Sequence, residues 1–183
     1  MTAGRFASLG SLLAPASVAI IGASQDPTRI GGRPIAYMLA QGFRGQVMPV
    51  NPNRAQVQGL TAYPDIASLP VTPETAIVAV PVEAAIAAVE ALGARGTRSA
   101  VVFTAGFAET GEAGGAAQDR LLAAARRHGM RLVGPNSLGL FNARHGYYAI
   151  FSSSLENGWP KPGRIGIASQ SGAYGTHVFA CAR

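Results

Sequence analysis

The sequence predicts an α/β fold, a parallel sheet with helices on both faces. Three observations carry this expectation. Short apolar runs recur along the chain, each followed by a loop of small residues. Segments with helical spacing of apolar residues lie between them. The composition, 48% hydrophobic and 13% charged with 23 glycines in 183 residues, suits a compact domain with many tight turns. Strands that alternate with helices build a parallel sheet through right-handed crossovers.

The elements follow in order. Residues 18–21 are a continuous apolar run, the signature of a strand buried on both faces. Pro34 is predicted at the first helical position, where its missing N–H costs nothing. Ile35, Met38 and Leu39 share one face of that helix, and Gly42 is placed to end it. Residues 46–50 form a second strand, leading into Asn51-Pro52-Asn53. A third, 75–80, is stopped by Pro81. Val82, Ile86, Val89 and Leu92 make a helical stripe that Gly93 is expected to close. A fourth strand covers 98–103 and a helix runs over 115–128, with Arg126, Arg127 and His128 at its negative end and Gly129 after it. Residues 131–133 are a short fifth strand.

The division expected is a first domain over 1–137, a less regular connection over 138–162 and the truncated start of a second domain over 163–183. That last stretch, RIGIASQSGAYGTHVFACAR, restarts the pattern with a strand, a small-residue loop and a helix. One strand and one helix cannot bury their apolar faces alone. The chain is therefore read as a fragment of a longer protein, or as one completed by a partner.

Composition also narrows the function classes. Cys181 is the single cysteine, so there is no disulfide framework and no thiolate metal cluster, and a reducing cytoplasm fits. No metal ligand set or glycine-flanked serine nucleophile occurs. The formal charge is +6, but the arginines are scattered and Lys161 is the only lysine, so no nucleic-acid partner is read. No stretch has the apolar length of a bilayer span. Residues 1–24 loosely resemble a signal peptide, with one arginine followed by apolar and small residues. Pro15 interrupts that run and its last part is needed as a strand, which argues against a leader.

In open parallel sheets the ligand lies beyond the carboxyl ends of the strands. The segments there are 22–31, 51–54, 81–82, 104–109 and 134–137, each rich in glycine, proline, asparagine or serine. Any one alone reads as an ordinary turn; five at one edge favour a site. The first runs from a strand into a helix N-terminus, where free N–H groups and partial positive charge hold phosphate. Dinucleotide loops usually read G-x-G-x-x-G, yet Gly22 is followed by no glycine until Gly31 and Gly32. NAD sites place an acid at the end of the second strand for the ribose hydroxyls. Here the strand ends Val50-Asn51-Pro52-Asn53-Arg54, with no carboxylate. NADP and coenzyme A both carry a ribose phosphate that amides and an arginine would accept. The missing second glycine argues against NADP, leaving coenzyme A as the better candidate.

SVAIIGASQDPTRIGG, VMPVNPN, AIVAVP, VVFTAGFAETG and GPNSLGLFN, in that order, closely resemble the CoA-binding domain of nucleoside-diphosphate-forming acyl-CoA synthetases. ADP-forming acetate–CoA ligases belong to this family, and the succinyl-CoA synthetase alpha subunit is a relative. PKPGRIGIASQSGAYG resembles the opening of the family's next, flavodoxin-like domain. The resemblance runs from about residue 12 to the last residue and implies a Rossmann-like sheet that cradles CoA. It also implies a reaction in which an acyl phosphate forms, a histidine takes the phosphoryl group and CoA takes the acyl group. ATP or ADP and Mg would bind in domains outside this chain, in missing C-terminal domains or in a partner subunit with a nucleotide-grasping domain.

Residue by residue, the resemblance maps Gly22, Ala23 and Ser24 to the first loop, with Arg29, Ile30 and Gly31 entering the helix. Asn51, Pro52, Asn53 and Arg54 match the loop facing the adenosine end; the family often has lysine at the position of Asn53, leaving Arg54 to supply the charge. Pro81, Val82, Ala105, Gly106 and Phe107 match other ligand loops. Asn136 matches the turn where the thiol end arrives, followed by Ser137 where members commonly have cysteine. Ser169, Gln170, Ser171 and Gly172 match the phosphate loop of the second domain. No catalytic residue is expected within the chain: the phosphorylated histidine lies further along, and His128, His145 and His177 do not match it. Asp26, Glu109 and Glu112 read as solvated or capping carboxylates. Two other readings stay open from sequence: a CoA-sensing regulatory module of an acetyltransferase fusion, and an NAD(P)-binding domain of an oxidoreductase.

Overall fold

The structure, a computed structural model, describes residues 9–181. A short helix α1 (Gly10–Leu13) leads into β1 (Ser17–Ile21), α2 (Arg33–Ala40) and β2 (Gln46–Val50). A small antiparallel hairpin, β3 (Gln56–Val57) and β4 (Leu60–Thr61), precedes β5 (Thr75–Val78) and α3 (Val82–Ala94). Then come β6 (Ser99–Val102), α4 (Glu112–Arg127) and β7 (Arg131–Val133). A second antiparallel hairpin, β8 (Gly139–Asn142) and β9 (Tyr147–Ile150), and the helix α5 (Gly172–Cys181) follow.

The main sheet has the order β2-β1-β5-β6-β7, and every neighbouring pair is parallel. This is the Rossmann-like, doubly wound arrangement expected. The chain reverses direction across the sheet between β1 and β5, so a crevice opens beyond the carboxyl ends of those two strands.

Strand alternation sets the two cores. Ala19 and Ile21 face one side with Met48, Val78, Leu92 and Leu121, under α3 and α4. Val18 and Ile20 face the other with Ile35, Met38, Ile77 and Val101, under α2 and β9. All five β1 residues are buried, as the apolar run required. Fully burying each Ile or Leu contributes about 1.5–3 kcal/mol, which anchors the strand ends that carry the loops.

Several local expectations change. Leu39 does not join Ile35 and Met38 inside; it is 47% exposed. Pro34 is the second residue of α2, one place later than expected. Gly42 does follow the helix, left-handed at φ +66°, with the Phe43 amide donating to the Met38 carbonyl. Gly93 does not close α3, which continues to Ala94. A Cβ there would lie 2.6 Å from the His128 ring, so this glycine makes room for the crossing of α3 and α4. The α4 helix begins at Glu112, before the expected 115, and a Cβ on Gly114 in its first turn would lie 1.9 Å from the Phe107 carbonyl.

The stretch 138–162 carries the β8–β9 hairpin. Tyr147, Tyr148 and Leu155 are fully buried in the core beneath α2. The strand expected just after Pro162 does not form: Ile165 is 89% exposed and no ladder partner pairs with it. With no neighbouring strand to pair with, this segment has no ladder partners for its backbone groups, which face solvent instead. The helix expected after it is present as α5. The opening eight residues, which carry the first part of the signal-like stretch and of the first domain, lie outside the described residues.

Candidate functional site

The loops after β1, β2, β5, β6 and β7 meet at the carboxyl edge of the sheet, and most of the site residues read from sequence lie on them. Gly22 adopts φ +86°, and a Cβ there would sit 2.5 Å from the Ala79 carbonyl oxygen. The loops after β1 and β5 therefore touch backbone to backbone at the crevice. Gly31 returns against the same point: its Cβ would lie 2.0 Å from the Gly22 carbonyl oxygen. Gly32 is equally constrained, since its Cβ would lie 1.9 Å from the Asp26 carbonyl oxygen. The glycines, widely spaced in sequence, close one compact loop.

Within that loop the backbone is well braced. The Ala23 amide donates to Val50, and the Ser24 amide to Gly31. Asp26 Oδ1 accepts from the Thr28 hydroxyl at 2.7 Å and the Thr28 amide at 2.8 Å. Those two bonds hold its carboxyl below the usual carboxylate range. Arg29 is mostly exposed and pairs with Asp26 at 3.6 Å. The amides of Gln25, Ile30 and Gly31 have no hydrogen-bond partner among the described residues. The Ile30 and Gly31 amides come just before the N-terminal end of α2, where partial positive charge accumulates, and the Gln25 amide lies earlier in the loop.

The second loop splits its roles. Asn51 is a bracket: its Nδ2 donates to the Ala23 carbonyl at 2.8 Å and its Oδ1 accepts from the Asn53 amide at 2.9 Å. Pro52, Asn53 and Arg54 are exposed, and Arg54 has no ion-pair partner among the described residues. No carboxylate lies in this loop.

Pro81 is exposed and Val82 half-buried at the head of α3. Thr104 ties the β6 loop to the β5 loop through a 2.7 Å bond from its hydroxyl to the Val80 carbonyl. Ala105 is exposed beside Gly106, whose φ is +102° and whose amide donates to Glu109 Oε1 at 2.6 Å. That amide, with those of Glu109 and Phe107, keeps the Glu109 carboxyl below its ordinary range. Glu109 thus caps its own loop, as does Asp26. Phe107 turns its side chain fully into the core, which leaves only its backbone at the mouth. Asn136 sits at φ +51°, its amide bonded to the Thr104 carbonyl at 2.9 Å, so this turn adjoins the β6 loop.

The loop before α5 reaches the same edge. A Cβ on Gly172 would lie 3.2 Å from Leu138 Cβ, two residues beyond Asn136. Ser169, Gln170 and Ser171 are exposed. Ser169 Oγ accepts from the Ser171 amide at 3.2 Å, and Ser171 Oγ caps the Tyr174 amide at 3.3 Å. A run of aromatic contacts links α2 to α5. Tyr37 and Tyr148 each meet Trp159 edge-on at 5.2 Å, and Phe141 contacts both Tyr148 and Phe179. Tyr37 also donates to Glu156 and the Ser152 carbonyl; burial, then Glu156, push its hydroxyl up to about 12.

Sequence reasoning missed Gln58. It stands at the tip of the β3–β4 hairpin and reaches across to the first loop. The only signal was Gln58-Gly59 between two short β-prone pairs, which reads as a hairpin turn and not as a site.

Comparison with known proteins agrees with this geometry. A family model described as a CoA binding domain matches residues 16–143. The chain is 35% identical to the ADP-forming acetate–CoA ligase II of Archaeoglobus fulgidus over 91% of its own length and 24% of that protein's. It is also 35% identical to the alpha subunit of the corresponding Pyrococcus furiosus ligase, over 90% of the chain and 35% of the subunit. The chain thus spans about a third or less of these curated relatives. Among solved structures, a Pyrococcus horikoshii OT3 protein superposes with a TM-score of 0.83 at 34% identity, covering 93% of the chain and 38% of that protein. A Candidatus Korarchaeum cryptofilum acetyl-coenzyme A synthetase, in its apo form, gives 0.79 at 31% identity, covering 94% and 36%.

Proposed function

The chain belongs to the CoA-binding domain family, and from that premise we propose that it is the CoA-binding portion of an ADP-forming acid–CoA ligase. The observation that carries this reading is the mouth at the β1–β5 switch point. There a backbone-walled glycine loop with free amides stands next to a second-strand loop bearing Arg54 and no acid. An NAD ribose would find no carboxylate partner, whereas a ribose phosphate would find a guanidinium.

In this reading the CoA diphosphate lies against Gly22, Ala23, Ser24, Arg29, Ile30 and Gly31. The adenosine end meets the loop of Pro52, Asn53 and Arg54, with Asn51 bracing it. The pantetheine arm passes Pro81, Val82, Ala105 and Gly106, over backbone supplied by Phe107, toward Asn136. Ser169, Gln170, Ser171 and Gly172 open the second domain and present a phosphate loop beside that end. The phosphorylated histidine, the ATP or ADP site and its Mg belong to further domains or to a partner subunit; a relative of this chain is itself named an alpha subunit. Among the described residues no helix is long and apolar enough to cross a membrane, and the cytoplasm is the proposed compartment. The ligase relatives favour this reading over an acetyltransferase fusion or an NAD(P)-dependent oxidoreductase.

Titration of the chain with CoA, dephospho-CoA and NADP tests it. CoA should bind tightest and dephospho-CoA more weakly. Tight NADP binding with no CoA binding would overturn the proposal.

A further inference from the structure

Gln58 lies outside the glycine loop in sequence and outside every ligand loop, yet it holds that loop at both ends. Its Nε2 donates to the Ser24 carbonyl at 2.9 Å and to the Gly32 carbonyl at 3.0 Å, which uses both amide hydrogens. Its backbone amide donates to Gln25 Oε1 at 2.7 Å, adding a third link to the same loop. The residue adopts φ +49°, followed by Gly59 at φ +82°. Turns with two left-handed central residues normally take Asn, Asp or Gly at the first place. A longer side chain there works against local preference, and the structure uses its length to span the gap to the loop.

The consequence follows from the planar trans peptide. A carbonyl drawn toward Gln58 turns the N–H of the same peptide plane the opposite way. The Ser24 carbonyl is drawn in, so the Gln25 N–H points out, and it is one of the three unbonded amides. The Gly32 carbonyl, which also accepts from the Ala36 amide, is fixed at the other stem; its peptide carries the Arg33 N–H, which donates to the Arg29 carbonyl, and that carbonyl turns the Ile30 N–H of its own peptide away from the stem. We propose that Gln58 is a positioning residue that sets the outward amides of the glycine loop to receive the diphosphate of a nucleotide ligand. This rests on the CoA reading above and adds to it a residue that touches no ligand. Asn51 braces the loop from the β2 side through the Ala23 carbonyl; Gln58 does so from the hairpin, and the two act on different peptides.

The test is calorimetric titration of the full chain and two variants with CoA and dephospho-CoA, which share the diphosphate and differ in the ribose phosphate. Gln58→Met keeps the side-chain length and removes both donors. It should weaken both ligands equally, by about tenfold for two lost positioning bonds, and leave their affinity ratio unchanged. Gln25→Ala removes the exposed third link and should weaken both by about threefold, with the same constant ratio. Unchanged affinities in a folded Met variant would overturn the proposal. So would a collapsed CoA to dephospho-CoA ratio, which would mean that the 51–54 loop had moved instead. If the Met variant does not fold, the Ala variant decides alone by the same criteria. A wild-type chain that binds neither ligand would refute the CoA reading itself, an outcome distinct from a wild type that binds and variants that do not differ from it.

Discussion

Two loops of small residues open helices at the same edge of this molecule, and they are built differently. The first, 22–32, is walled by backbone: Ala23, Gly31 and Gly32 are buried, and Asn51 and Gln58 hold it from neighbouring elements. The second, 169–172, is held mainly by its own serine hydroxyls and rests on Leu138. Its helix, α5, buries only Phe179 among the described residues. The first loop is thus a preformed seat whose ordering cost is met on folding, while the second keeps its polar groups exposed. A preformed site loses less entropy when a ligand arrives, which suits the role proposed for this loop, holding a nucleotide diphosphate through a few amides.

Glycine substitutions should break this contrast most sharply. Gly31→Ala places a methyl 2.0 Å from a carbonyl oxygen that belongs to backbone. It should cost about 3 kcal/mol in denaturant unfolding and abolish measurable CoA binding. Gly172→Ala meets only the Leu138 side chain, at 3.2 Å. It should stay within about 1 kcal/mol of the parent and leave CoA affinity unaltered. Equal costs at the two sites would remove the distinction.

A smaller effect is expected from the charge beside the first loop. Arg54→Ala should weaken CoA by about fivefold, the scale of one exposed charge-assisted contact, and leave dephospho-CoA unmoved. A parallel loss for both ligands would assign the arginine to the diphosphate instead.

The smallest effect concerns acid. The Asp26 carboxyl is held below its usual range by the Thr28 hydroxyl and amide. A group lowered in the folded state stabilises above its unfolded pKa, and that contribution is lost as pH falls through the folded value. The first loop should therefore loosen only below about pH 4, seen as a shift of the Thr28 amide resonance. The Ser171 amide, held by a hydroxyl, should not follow it over the same range. Concerted movement of both resonances would indicate general acid unfolding.

Much of this was legible in the sequence because it depended on periodicity. The buried run of β1, the stripe of α3 and the left-handed Gly42 follow from spacing and residue type alone. What could not be read depended on contacts between distant segments. Gly93 resembles a helix stop, but its absent side chain accommodates His128 from α4. Phe107 lies in a ligand loop by sequence, but the turn Ala108–Thr110 folds its ring into the core. The region after 138 lacks a strong pattern, yet it places Tyr147 and Tyr148 under α2 because the sheet's second face needs covering. Gln58 carried no signal, since its partners are carbonyls that any sequence would supply.

The most direct test of the preformed seat is a crystal structure of the chain with CoA bound. The account predicts diphosphate oxygens within hydrogen-bond distance of the Gln25, Ile30 or Gly31 amides, with the loop backbone unmoved and Gln58 still joined to Ser24 and Gly32. A diphosphate seated elsewhere, or a glycine loop refolded around it, would contradict the account.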